Sequence, residues 1–131
     1  MREILFRAKS VWGNWCEGYL VKMPKYFRIS TRDDLISFGV DAETIGQFTG
    51  LTDKNGKRIF EGDIVKIDGH LKTVDGLYCV KYETANHCWG LERSAEHYFH
   101  HFTFSDLNGF AATSSVVGNI HDNPELLGGR P

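Results

Sequence analysis

The stretch Asp53-Lys54-Asn55-Gly56-Lys57-Arg58-Ile59-Phe60-Glu61-Gly62-Asp63-Ile64-Val65-Lys66-Ile67 decides how this chain is read. Asn55-Gly56 supplies two residues that tolerate positive φ, which a two-residue type I′ hairpin turn requires. Apolar residues flank it, Phe48 and Leu51 before and Ile59 and Phe60 after. Gly62 then permits a sharp bend, and Asp63 to Ile67 reads as a fresh strand. A hairpin, a bend and a strand in immediate succession suit a small, strongly curved sheet or a partly open barrel.

Alternation on either side agrees with this reading. In Glu3-Ile4-Leu5-Phe6-Arg7-Ala8-Lys9, the residues Ile4, Phe6 and Ala8 share one face and Glu3, Arg7 and Lys9 the other. That period of two marks a strand. Tyr78-Cys79-Val80-Lys81-Tyr82-Glu83 repeats the pattern, with Tyr78, Val80 and Tyr82 on one face. Further strands are read over 15–21, 26–29, 45–51, 57–60, 89–92, 98–104 and 116–120. Two places read as helical. Thr31-Arg32-Asp33-Asp34 resembles a capping box and predicts one or two turns, and Asn123-Pro124-Glu125-Leu126-Leu127 predicts one turn that stops at Gly128-Gly129.

Composition points the same way. Val, Ile and Thr number eight each and the aromatics seventeen, while Ala numbers six. These types fit pleated, half-buried surfaces better than helix interiors. The length of 131 residues suits one domain, with a soft boundary near 40–45, and 41% apolar with 24% charged residues excludes wholesale disorder. The N-terminus is charged from its second residue, which excludes a signal peptide, and no segment approaches the apolar run needed to span a bilayer. Cys16, Cys79 and Cys88 form no C-x-x-C pair and suggest no disulfide framework, favouring a reducing, cytoplasmic setting.

The formal net charge of −2 conceals an asymmetry. Residues 1–32 hold seven Lys/Arg against two acids, a balance of +5, and residues 33–131 hold eight against fifteen, a balance of −7. Such a split suits either a nucleic-acid-binding arm or two oppositely charged faces meeting in an oligomer.

Candidate chemistry is sparse. His97, His100 and His101 crowd one segment with Glu92 and Glu96 upstream, yet on a strand His97 and His100 point to opposite faces, which disfavours a shared metal. The acid pairs Asp33-Asp34, Glu61 with Asp63, and Glu92 with Glu96 give no sign of separated pKa values in one cleft, and Glu61 and Asp63 flank a glycine bend where acids satisfy backbone groups. No nucleophile elbow, Walker loop, dinucleotide fingerprint or zincin motif occurs. Basic side chains do alternate with aromatics in the N-terminal third, where Arg2, Arg7, Lys9, Trp12, Trp15, Lys22, Lys25 and Arg28 form a candidate nucleic-acid surface.

Three stretches together resemble the YopX family of small, mostly phage- and prophage-encoded proteins. Met1-Arg2-Glu3-Ile4-Leu5-Phe6-Arg7-Ala8 is similar to the family's opening, apart from Lys9, where the family usually has an aromatic. The stretch from Gln47-Phe48-Thr49-Gly50-Leu51 through the Asn55-Gly56 turn to Val65 resembles its central signature. Val117-Gly118-Asn119-Ile120-His121-Asp122-Asn123-Pro124-Glu125-Leu126-Leu127 is similar to its close. Residues 10–45 and 84–115 carry no motif. The resemblance implies a mainly-β chain with a small barrel-like core. With the charge split and the Asn-Pro cap, the expected fold is mainly β, with small curved sheets or a partly open SH3-like barrel core, a basic N-terminal β portion and a short C-terminal helical turn. It implies no enzymatic activity and no known binding residues. Polar and glycine members of the motifs, Gln47, Thr49, Asp53, Asn55, Gly56, Glu61, Gly62, Asp63, Asn119 and Asn123, are the candidate functional positions. The expectation is a non-catalytic accessory protein in the host cytoplasm, free of cofactors, metals and membrane association, that contacts an unknown protein partner or a second copy of itself. Nucleic-acid binding through the basic-aromatic third is the alternative.

Overall fold

The computed structural model describes residues 4–31, 36–67, 76–83, 88–93, 98–100 and 113–127. The chain is mainly β, and its strands lie in two compact units, Met1–Gly50 and Leu51–Pro131.

The first unit is an antiparallel meander of β1 (Phe6–Lys9), β2 (Trp15–Lys22), β3 (Phe27–Ser30) and β4 (Ser37–Val40). The strand β5 (Gly46–Thr52) begins on the free side of β1, where Phe6 faces Gln47 and Arg7 faces Gly46, and carries the chain into the second unit. Alternation assigns the faces. Ala8, Ile29 and Val40 are buried on the inner face, with Phe6, Cys16, Leu20, Phe27 and Ile45 packed around them. The meander curls until the end of β1 reaches β4. Ser10 bridges Val40, the Val11 N–H donates to the Gly39 carbonyl (3.1 Å), and the Asp41 N–H donates to the Lys9 carbonyl (2.8 Å). No closed barrel results among the described residues. A 3₁₀ turn at Ala42–Thr44 holds this corner, because the buried Thr44 hydroxyl accepts from the Lys9 N–H (2.8 Å) and donates to the Asp41 carbonyl (2.7 Å).

Sequence reading does not find β4 or that 3₁₀ turn. Ser37-Phe38-Gly39-Val40 is too short and too rich in small residues to read as a strand, and pairing with β3 imposes the conformation. The capping box expected at 31–34 has its residues 32–34 outside the described ones, as is Leu35 after it. The flanks are closed by the Thr31 N–H donating to the Ile36 carbonyl (2.8 Å).

The second unit contains β6 (Arg58–Phe60), beside the end of β5, and a five-stranded antiparallel sheet. That sheet runs β10 (Tyr98–His100), β9 (Cys88–Arg93), β8 (Gly76–Glu83), β7 (Asp63–Ile67) and β11 (Ser114–Asn119). Its core is Ile59, Val65, Ile67, Tyr78, Val80, Trp89 and Leu91, with Leu51 and Val116 against it. Tyr82 packs edge-on to Trp89, ring centroids 5.2 Å apart at 74°. The closing Asn-Pro segment forms a 3₁₀ turn, Pro124–Leu127, as its cap residue and proline predict. Among the described residues no helix is long and apolar enough to cross a membrane.

Candidate functional site

Two sets of residues require placement: the polar members of the signature stretches and the basic-aromatic third.

The signature begins at the β5–β6 turn. Its loop is one residue longer than the type I′ turn that Asn55-Gly56 suggests. The Asp53 N–H donates to the Lys57 carbonyl (2.8 Å) and the Gly56 N–H to the Asp53 carbonyl (3.0 Å), leaving Lys54-Asn55-Gly56 as the loop. Gly56 sits at φ 81°, the left-handed position that ends a three-residue hairpin loop. Asp53 explains the difference. Its Oδ1 accepts from the N–H groups of Asn55 (2.8 Å) and Lys57 (2.9 Å), which fixes the wider turn. Its Oδ2 accepts from the Val116 N–H (2.8 Å), and the Lys54 N–H donates to the Ser114 carbonyl (3.0 Å). The turn is thereby fastened to the outer edge of β11. Burial would push the Asp53 carboxyl up, but the N–H groups of Val116, Lys57 and Asn55, with the Lys57 ammonium, outweigh it and hold it below the usual carboxylate range.

The glycine bend works in the same manner. Asp63, 1% exposed, accepts from the Phe60 N–H (2.8 Å), as a bend acid should. Gly62, at φ 89°, donates its N–H to the Val80 carbonyl (2.8 Å) and accepts from the Ile120 N–H (2.9 Å). At the close, Asn119 Oδ1 accepts from the N–H groups of His121 (3.0 Å) and Asp122 (2.9 Å), and Asn123 Oδ1 accepts from the Asn119 N–H (3.3 Å). A β-bulge at Val116/Gly118 brings the Asn123 side chain over Gly118, where an added Cβ would lie 2.6 Å from its oxygen. Thr49, Asp53, Gly62 and Asp63 are buried, Gln47, Glu61, Asn119 and Asn123 are half-buried, and Asn55 and Gly56 are exposed. The described bonds of these polar atoms serve turns and strand ends, and the buried members present no surface.

The basic-aromatic set divides. Register places Arg7 opposite Glu17, Lys9 opposite Trp15 and Val21 opposite Arg28, so Arg7, Lys9, Trp15, Tyr19, Val21 and Arg28 share the outer face of the first sheet. Arg7 lies 4.8 Å and Lys9 5.6 Å from the Trp15 ring centroid, within cation–π range. Arg28 is engaged locally. Its Nε donates to Ser37 Oγ (2.7 Å), Nη2 to the Ser37 carbonyl (2.9 Å) and Nη1 to the Tyr26 hydroxyl (3.3 Å). Lys22 and Lys25 instead border a separate open depression of about 510 Å³ that Met23, Tyr26, Phe27 and Val40 also line. Arg2 lies outside the described residues.

Trp12 belongs to neither group, and its setting was not read from sequence. It sits on the β1–β2 turn, 81% exposed beside Val11 at 72%. This turn reproduces the 53–57 turn. The Ser10 N–H donates to the Asn14 carbonyl (2.8 Å), the Gly13 N–H to the Ser10 carbonyl (2.9 Å), and Ser10 Oγ accepts from the Trp12 N–H (3.2 Å). Gly13 has φ 87°, matching Gly56. With Val11 bonded to Gly39, every N–H from Ser10 to Gly13 is satisfied, and the backbone that carries the Trp12 indole is pinned. The shared pattern of cap residue, two residues and glycine was the available signal.

Among the described residues no group of three or more metal-ligating side chains occurs. His97, His101 and Glu96 lie outside them, and His100 is described by its backbone alone, opposite Leu91. Glu92 forms an ion pair with Lys81, whose pKa that hydrogen bond raises. Burial pushes the Cys79 thiol up to about 12 and raises Cys16.

The model of the YopX family, described as YopX protein, matches residues 14–128. The crystal structure of protein EF1440 from Enterococcus faecalis is similar at TM-score 0.57 and 26% identity, covering 97% of this chain and 99% of that one. No curated protein sequence matches.

Proposed function

The chain belongs to the YopX family, and from that premise we propose that it is a non-catalytic accessory protein of phage or prophage origin, working in the host cytoplasm through protein–protein contact. One observation carries the reading. Trp12 is a large apolar side chain, 81% exposed, on a turn whose backbone N–H groups from Ser10 to Gly13 are all bonded. A side chain presented this way loses little conformational freedom on docking, and tryptophans so placed are the usual anchors of interfaces. The partner is a protein, a second copy of the chain among the candidates.

Light scattering and affinity capture from induced cells, each with wild type and Trp12→Ala, test the reading. Retained partners or a dimer mass in the wild type that the variant loses support it. Identical behaviour of the two proteins would sink it.

Nucleic-acid binding is the second reading, favoured by the half-buried Arg7, Lys9 and Trp15 clustered on the outer face of the first sheet. It ranks lower because both cations lie against the ring on which a base would stack, and Arg28 is held by Ser37 and Tyr26. A gel shift on single- and double-stranded DNA and RNA that weakens steeply with salt would raise it above the first reading.

A further inference from the structure

Asn55-Gly56 is an exposed dipeptide in which an amide side chain precedes the residue that least shields its own nitrogen. Chemically it is the most reactive pair in the described chain. Deamidation here begins when the Gly56 nitrogen bonds to Asn55 Cγ. The bond from Cγ to the amide nitrogen breaks, and that nitrogen leaves as ammonia carrying the proton lost by Gly56. Water then opens the resulting succinimide at either carbonyl, giving aspartate or isoaspartate at position 55.

The fold opposes the first step. Attack requires the peptide plane between Asn55 and Gly56 to turn its nitrogen towards the Asn55 side chain. The Gly56 N–H is instead committed to the Asp53 carbonyl (3.0 Å), and the Asn55 N–H to Asp53 Oδ1 (2.8 Å). Asp53 is in turn anchored by the Val116 N–H (2.8 Å). We propose that Asn55 is a deamidation site held in check by the Asp53 clamp, and that its conversion detaches the turn from β11. An isoaspartate adds a methylene to the backbone, so the Gly56 N–H no longer meets the Asp53 carbonyl. Either product also adds a carboxylate beside the one already bound there. This inference is independent of the binding role proposed above.

The test incubates full-length protein at neutral pH, natively and in urea. It follows the mass gain of the Asn55 peptide and its methylation by an isoaspartate-specific methyltransferase. Conversion in the native state should be at least about tenfold slower than in urea, because it waits on local opening. Asp53→Ala should lose most of that protection. Should this variant not fold, Asp53→Asn, which keeps the shape but loses the charge and one of the two acceptor oxygens, should convert at an intermediate rate. Amide exchange at Val116 should accelerate in the deamidated fraction separated by ion exchange. Equal native and unfolded rates, variants as slow as wild type, or unchanged exchange at Val116 would each overturn the proposal.

Discussion

Asp53 shows how one side chain serves several elements. Its carboxylate accepts three backbone N–H groups, from Asn55, Lys57 and Val116. Asp53→Ala strands these donors, and the unfolding free energy should fall by roughly 2–4 kcal/mol, read from urea midpoints. The sign of the pH effect follows from the lowered folded-state pKa. The stabilisation is complete above the ordinary value of 3.8 and is lost as pH falls through the lower folded value. Wild type should therefore lose its advantage over Asp53→Ala in acid, and a constant gap between the two down to the most acidic conditions would contradict this. Gly18 is a second position with no alternative occupant. An added Cβ would lie within van der Waals overlap of the Ser30 carbonyl oxygen, a backbone atom that cannot swing aside. Gly18→Ala should cost about 1–3 kcal/mol or more through the shift it forces, measurable by the same unfolding curves.

Elements were legible in the sequence wherever a side-chain period met a clear stop. Asp63–Ile67, bounded by the Gly62 bend, has the same limits in sequence and structure. The strand read from Tyr78 extends two residues earlier, to Gly76, because pairing with Ile67 holds those residues extended. The 53–57 turn was legible as a hairpin but not in its type, because the deciding partner, Val116, lies 63 residues away. The same limit hid the site. Distance along the chain cannot show that Arg28 is occupied by Ser37, that Lys22 and Lys25 leave the outer face, or that the Trp12 turn is bonded to Gly39. Burial of both faces at the middle of β8 is a further case: alternation places Cys79 opposite Tyr78, and both are buried. With its thiol pushed up to about 12, Cys79 should resist alkylation in native protein at neutral pH and react after unfolding. Mass spectrometry of labelled native protein would show the contrary directly.

At the scale of the molecule the charge asymmetry changes meaning. The boundary at residue 32 falls inside the first compact unit, which extends to Gly50. Counted over that unit, seven cations meet Glu3, Glu17, Asp33, Asp34, Asp41 and Glu43, leaving +1, and the rest of the chain carries eight cations and eleven acids, leaving −3. A contact made through Trp12 should accordingly vary little with ionic strength, whereas a phosphate contact would weaken steeply. Light scattering across a salt series separates these, and dissociation on moderate salt would count against an apolar anchor.

The pairing of β11 with β7 bears on how the protein is made. The strands of the β1–β4 meander follow one another along the chain, so each can pair as soon as its neighbour leaves the ribosome, and β5 then joins the free side of β1. In the second unit, one side of β7 and the carboxylate of Asp53 wait for Ser114–Asn119. Until that strand is synthesised, β7 presents an unpaired row of backbone groups beside Ile64, Val65 and Ile67, the kind of edge that recruits other nascent chains. Late closure of this seam, across so long a loop, is the slow step expected in the assembly of the protein and the interval in which a holding chaperone would matter most.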